Sequence, residues 1–177
     1  VALEALGDRA DLEGLLATLA RVQAALGRGE GLALDGRDVQ LSLVKNPAGF
    51  RMGLLTAEQA VRSGGPESVM IAINDEYADG RDMSWLWDVE FAGLRSEGVA
   101  VVTGVRAWDM ALRLRYDEVG IGAVEPDLAK AVALLREAAK KADDGAGRPM
   151  RIFTTYTAML ALRAHLAELT DVEEALT

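Results

Sequence analysis

Residues 68–82 read SVMIAINDEYADGRD, and this stretch decides the fold. Ser68 to Ile73 is an unbroken apolar run with three β-branched residues, Val69, Ile71 and Ile73. It is too short for an ordinary helix and lacks the alternation of a half-covered strand, so it reads as a strand buried on both faces. Asn74 to Arg81 then turns polar and contains Gly80, which predicts a loop at the margin of a sheet.

Working outward, the same grammar repeats. Gly31–Leu34 and Asp38–Val44 flank Asp35-Gly36, a strong hairpin turn signal. Lys45-Asn46-Pro47 ends the second strand, and a helix is expected from about Ala48 to Ser63. Met83–Phe91 reads as a short helical piece and Val99–Thr103 as another buried strand. Val105–Tyr116 is expected to be helical, with Val105, Trp108, Leu112 and Tyr116 on one face. Ile121–Val124 is a weak strand. Pro126 suits a first helical position, ahead of a stripe of Leu128, Val132, Leu135 and Ala139. Met150–Phe153 is a last strand and Thr157–Leu169 a last helix. At the other end, Asp8–Leu26 carries Leu12, Leu15, Leu19, Val22 and Leu26 at helical spacing, and the run Gly27-Arg28-Gly29-Glu30-Gly31 breaks it as a hinge.

Strands that alternate with helices predict an α/β fold: a mostly parallel sheet with helices on both faces. In such sheets the site lies at the carboxyl ends of the strands. Those ends are Lys45-Asn46-Pro47, Asn74 to Arg81, Thr103-Gly104 and Thr154-Thr155.

Composition narrows the function. The chain has 177 residues, half of them apolar, which allows one domain or one domain plus a fragment of a neighbour. With 28 acidic against 19 basic residues the formal net charge is −9, which argues against a nucleic-acid binder. There is no cysteine, hence no disulfide, thiolate metal site or cysteine nucleophile, in keeping with a cytoplasmic setting. No membrane span and no signal peptide are expected. Val1 is not a start methionine, so the chain reads as a piece of a longer protein.

The densest polar cluster is the loop after Ile73, with Asp75, Glu76, Asp79 and Asp82 in eight residues. Crowded carboxylates repel one another, which raises some of their pKa values and favours a cation, a base or a histidine nearby. The same cluster also reads as a solvated loop whose Asp82 caps the next helix. One of these acids suits the role of orienting a histidine, but His165, the only histidine, is distant in sequence and reads as structural. The imidazole would then belong to another chain. Lys45 suits a phosphate or carboxylate, or simply a turn. Arg28 in the hinge has the same ambiguity, while Arg106 and Arg163 have helix-surface pairing as their default. Asp109 and Arg113 look like a surface pair, and Trp85 and Trp87 like core or interface residues. No phosphate loop, dinucleotide fingerprint or nucleophile elbow is present, so no complete catalytic machine is expected on this chain.

Four ordered blocks carry a family resemblance. They are LVKNPAGF (43–50), NDEYADGRDMSWLWD (74–88), RAWDMALRLRY (106–116) and TYTAMLALR (155–163). Together they resemble the MurT family, the Mur-ligase-like subunit of lipid II isoglutaminyl synthase, over about residues 24 to 170. The resemblance implies a Rossmann-like Mur ligase C-terminal domain over 28–177, with 1–27 as the tail of a central ATPase domain. It implies ATP- and glutamine-dependent amidation of D-glutamate in the peptidoglycan stem of lipid II. ATP would activate the carboxylate as an acyl phosphate. A GatD-type glutaminase partner would supply ammonia with its own cysteine and histidine.

By the same resemblance this domain lends an aspartate to the partner's triad. It maps first to Asp75 and then to Asp79, with Asp82 a poorer choice. Gly27-Arg28-Gly29-Glu30 resembles the Gly-Arg-x-Glu hinge of Mur ligases, whose arginine reaches the nucleotide on closure. Lys45 and Asn46 would face the cleft between domains. ATP with magnesium, and a zinc ribbon, would belong to the absent central domain, leaving no metal here and this fragment inactive alone. Membrane contact would come only through the lipid substrate. One departure is Thr154, where the pattern has proline. Two alternatives stand beside this reading: a docking module for the glutaminase built on Trp85 and Trp87, and a Mur-type domain that adds an amino acid.

Overall fold

A computed structural model describes residues 28–141 and 148–169. The expected helix over Asp8–Leu26, Gly27, and the assignment of 1–27 to a preceding domain lie outside the described residues.

Strands β1 (Arg28–Leu34) and β2 (Arg37–Leu43) form an antiparallel hairpin. Asp35 and Gly36 both take positive φ, 55° and 73°, as a two-residue turn of this hand demands. β1 begins at Arg28 rather than Gly31. The expected break between them is strand, marked only by a register irregularity between Arg28 and Glu30. Helix α1 (Pro47–Gly64) starts behind an Asn46 cap with proline in its first turn, where a missing N–H costs nothing. β3 (Ser68–Ala72) is buried throughout. Three short 3₁₀ turns, Tyr77–Asp79, Ser84–Asp88 and Ala92–Leu94, carry the chain to β4 (Val99–Thr103). Then come α2 (Ala107–Tyr116), β5 (Ile121–Val124), α3 (Leu128–Lys141), β6 (Met150–Thr154) and α4 (Tyr156–Ala167). Pro126 precedes α3 instead of opening it: Asp127 Oδ1 accepts from Lys130 N at 2.9 Å and is the cap.

The strand order is β1-β2-β6-β3-β4-β5, with only β1 antiparallel to its neighbour. Pleating sends Val69 and Ile71 of β3, with Ile73 just after it, to one face, against Phe50 of α1 and Met110 and Leu114 of α2. It sends Met70 and Ala72 to the other, against Leu135 of α3 and Leu162 of α4. Both faces are thus covered, which is why β3 carries no alternation in its sequence. Thr154, the departure from the family pattern, is fully buried and paired with Leu43 and Ala72, so β6 continues through it. Arg151 of β6 is 1% exposed, and Glu67 takes its fork at 2.5 and 2.9 Å.

Helix α2 faces the opposite way from expectation. Its buried residues are Ala107, Met110, Ala111, Arg113 and Leu114. Val105, Trp108, Leu112 and Tyr116 are 54–69% exposed. Arg113 forms no surface pair with Asp109. It is buried, donates to Leu86 O at 3.2 Å and Val89 O at 2.5 Å, and pairs with Asp117 at 2.7 Å. Asp117 also accepts from Phe91 N at 2.6 Å, so this ion pair ties the 84–91 segment to α2. Burial pushes the Asp117 carboxyl up, but the Arg113 and Phe91 hydrogen bonds outweigh it and hold its pKa below the usual value.

Candidate functional site at the carboxyl ends of β3 and β6

β3 and β6 lie side by side and parallel. The chain leaves β3 across the α1–α2 face and leaves β6 into α4 on the other face, so their carboxyl ends form a topological switch point, where folds of this kind place their crevice. Asn74 braces this crevice in three directions. Its N–H donates to Thr155 Oγ1 at 2.9 Å, its Nδ2 to Thr157 Oγ1 at 3.1 Å, and its Oδ1 accepts from Val105 N at 3.0 Å. Gly104, with φ of 94°, lets the β4–α2 turn close onto this brace. A Cβ there would lie 2.5 Å from Ile73 O and 2.8 Å from Asn74 Oδ1.

The acidic loop is ordered by its own carboxylates, and each does something different. Asp79 Oδ1 accepts from Thr157 N at 2.8 Å, and its Oδ2 accepts from Thr157 Oγ1 at 2.5 Å and Glu76 N at 3.1 Å. Asp79 therefore caps α4 from a distant part of the chain. Asp82 accepts from Ser84 N at 2.8 Å, and that bond holds its pKa below the usual value. Asp75 stands directly behind Asn74 and meets the Arg106 guanidinium at 3.5 Å, with the two side chains 23% and 37% exposed. Arg106 Nε also lies 3.0 Å from Asp109, so one guanidinium is shared between two carboxylates.

Arg28, Lys45 and Asn46 lie at the same end of the sheet, where β1 begins and β2 finishes. Lys45 is exposed, with Nζ 5.5 Å from the centroid of the Tyr156 ring. Asn46 Oδ1 accepts from Gly49 N at 2.8 Å and is the cap of α1. Arg28 opens β1, on the edge of the sheet away from β3. Trp85 packs against Phe50, while Trp87 is half exposed against Tyr116. His165 lies 3.6 Å from Glu168 in the last turn of α4, about 12 Å along the axis from Thr157. The chain's histidine and its acidic loop thus sit at opposite ends of one helix. Among the described residues no group of three or more His, Cys, Asp or Glu is placed to hold a metal ion.

Asn74 and Gly104 stand among the strand ends where the sequence places the site, but without a role, and Thr157 reads only as the start of the last helix. The threonine carried a signal: Thr155-Tyr156-Thr157 lies between an apolar strand and a helix, where hydroxyl residues serve as caps. The glycine between a buried strand and a helix carried another.

The chain is 37% identical over 110 residues to the lipid II isoglutaminyl synthase (glutamine-hydrolyzing) subunit MurT of Staphylococcus aureus (strain COL), covering 60% of this chain and 24% of that protein. It is 29% identical over 147 residues to the subunit of the same name from Streptococcus pneumoniae (strain ATCC BAA-255 / R6), covering 82% of this chain and 31% of that one. The chain therefore spans less than a third of the length of these relatives. The fold is that of the solved UDP-N-acetylmuramate-alanine ligase MurC of Thermotoga maritima, with a TM-score of 0.56 at 14% identity over 94% of this chain and 35% of that chain. Residues 43–159, which carry β3, the acidic loop, α2 and the first turn of α4, match the family described as MurT ligase C-terminal, and the chain belongs to it.

Proposed function

We propose that this chain is the C-terminal domain of the ligase subunit of a lipid II isoglutaminyl synthase, and that Asp75 completes the glutaminase centre of a second, GatD-type subunit. The whole enzyme would amidate the D-glutamate of the peptidoglycan stem with ATP and with ammonia drawn from glutamine, in the cytoplasm. On this reading residues 28–177 are the Mur-type C-terminal domain and 1–27 the end of the ATPase domain. Magnesium and zinc belong with that missing domain, and this piece alone is inactive.

One observation carries the choice of acid. Asp79 and Asp82 spend their carboxylates on backbone N–H groups of their own chain. Asp75 makes a long side-chain contact to Arg106 and stays partly open to solvent at the switch-point crevice. An imidazole brought to that crevice would find in Asp75 an acceptor that fixes its tautomer and stabilises its charged form. The chain's own His165 is too far along α4 to serve.

Lys45 fits a nucleotide phosphate, since its ammonium is exposed at the end of β2 over Tyr156. Asn46 fits less well, because its carboxamide oxygen is engaged by Gly49 N. ATP, when bound, supplies the activation of the carboxylate; Lys45 would contribute a positive charge on this side of the domain cleft.

The test is glutamine hydrolysis by the full two-subunit complex carrying Asp75→Asn or Asp79→Asn. Asp75→Asn is expected to lower turnover about 10⁴-fold, the scale of losing a triad acid. Asp79→Asn keeps a carbonyl acceptor for Thr157 and is expected to lose less than tenfold. A reversed order would transfer the role to Asp79.

A further inference from the structure

Arg106 immediately precedes α2, where that helix meets the acidic loop. Its backbone is fixed on both sides: its N–H donates to Ile73 O at 2.9 Å, and its carbonyl accepts from Met110 N at 3.0 Å. From that anchor the guanidinium reaches two acids. Nη1 lies 3.5 Å from Asp75 Oδ2, and Nε lies 3.0 Å from Asp109 Oδ2. Neither contact is a clamp. The first is at the limit of hydrogen-bond length, and Nε, though buried, directs no hydrogen bond at an acceptor. The other oxygen of Asp75, Oδ1, has no donor among the described residues.

We infer that Arg106 is a positioning residue for the glutaminase centre: it holds Oδ2 of Asp75 and leaves Oδ1 to accept the N–H of the partner's imidazole. The inference rests on the reading of Asp75 given above and adds the group that aims it. The terminal bond of an aspartate is soft, and an acceptor that turns about it orients an imidazole poorly. A guanidinium fixed beside one oxygen removes that freedom. Contacts of this kind are often long in the free protein and shorten when the reacting groups are brought together.

Asp109 has a separate part. A guanidinium paired with Asp75 alone would cancel the charge that is to stabilise the imidazolium. Asp109 shares the cation from the same face of α2, so the cluster keeps one net negative charge. Two simpler roles fit less well. A helix-surface ion pair accounts for the contact with Asp109 but not for the reach back to Asp75, 31 residues earlier. A role in folding is small, because the side chains of Arg106 and Asp75 are 37% and 23% exposed and water screens their attraction.

The experiment measures glutamine hydrolysis by the full two-subunit complex carrying Arg106→Ala, Arg106→Lys or Asp109→Asn, and Arg106→Ala again in the Asp75→Asn background. Arg106→Ala is expected to lower kcat about 10–100-fold, the scale of one hydrogen bond to a charged group, with KM for glutamine within about twofold of wild type. Arg106→Lys keeps the charge without the fork and should fall between the two. Asp109→Asn should lower kcat about threefold, the scale of one exposed charge pair. In the Asp75→Asn background the further loss from Arg106→Ala should shrink to less than about twofold, because a residue that acts through Asp75 then has nothing to aim. The Kd between the subunits, from calorimetry, should stay within about twofold. A kcat for Arg106→Ala within about twofold of wild type overturns the proposal. So does an equal loss in both backgrounds, which would mean that Arg106 acts without Asp75. So does a loss that tracks weakened subunit binding, which is a docking role. An unchanged kcat in Asp109→Asn overturns the part given to Asp109. Should Arg106→Ala fail to fold, Arg106→Lys in the two backgrounds decides by the same comparison. Lost turnover in Asp75→Asn with none lost in Arg106→Ala would defeat this role and leave the reading of Asp75 standing. Retained turnover in Asp75→Asn would defeat that reading itself.

Discussion

The Asp79 carboxylate clamps Thr157 by both its backbone N–H, at 2.8 Å, and its hydroxyl, at 2.5 Å, across a separation of 78 residues. The acidic loop is thereby fastened to the start of α4. Thr157→Val removes the hydroxyl but keeps the N–H. It should cost about 2 kcal/mol of stability, since the hydroxyl donates to Asp79 and also accepts from Asn74 Nδ2, measured by urea denaturation. Asp79→Ala, which loses the whole cap, should cost about 2 kcal/mol.

Gly104 is the position where a single methyl group should matter most. A Cβ would meet Ile73 O at 2.5 Å, and the φ of 94° is itself unfavourable for any other residue. Gly104→Ala is expected to destabilise the domain by about 2–4 kcal/mol from backbone strain and the lost Val105–Asn74 closure. Thermal melts compared with Gly64→Ala, a glycine with open space around it, would check this.

The Arg113–Asp117 pair sets an acid sensitivity. The folded-state pKa of Asp117 lies below its usual value, so its contribution to stability is complete above the unfolded value of about 3.9 and is lost as pH falls through the folded one. Asp117→Asn should cost about 2–3 kcal/mol at pH 7, since it leaves a buried guanidinium without its counter-charge. The gap between variant and wild type should shrink when denaturation is repeated near pH 3.5.

Arg151 and Glu67 offer a contrast between breaking a buried pair and replacing it. Arg151 is almost wholly buried, and its Nη1 has no partner among the described residues. Glu67→Gln should cost about 3–5 kcal/mol by stranding the cation. Arg151→Met combined with Glu67→Leu should recover most of that loss, since apolar residues of similar volume often match or exceed a buried ion pair. A double-mutant cycle followed by denaturation gives the coupling directly.

Much of the sheet was legible because its signals are local. The unbroken run Ser68–Ile73 and the Asp35-Gly36 turn each stand where the residues placed them. Helix α2 was legible as a helix but not in its orientation. Two stripes of helical period run along it, one of large side chains and one of Ala107, Met110, Ala111 and Leu114. Size pointed to the wrong one: Ala107, Met110, Ala111 and Leu114 join the core, and Arg113 is drawn inward by Leu86 O, Val89 O and Asp117. Arg113 likewise had acids four residues away on either side, Asp109 and Asp117, and spacing alone does not choose between them. Pro126 was misplaced by one competing rule, since Asp127 caps α3 more effectively than proline opens it. The acidic loop was found from its charge and its place after β3. The division of labour within it was not legible, because what distinguishes Asp75 from Asp79 is Thr157, which only the tertiary fold brings near.

The strand at the middle of the sheet, β6, is also the last of the described strands to be made. During synthesis the β1–β2 hairpin and the β3–β4–β5 layer stay unjoined until Met150–Thr154 slides between them. Thr155 and Thr157, which hold Asn74 and Asp79, follow immediately behind. A nascent polypeptide therefore cannot display a finished acidic turn until the start of α4 has been made.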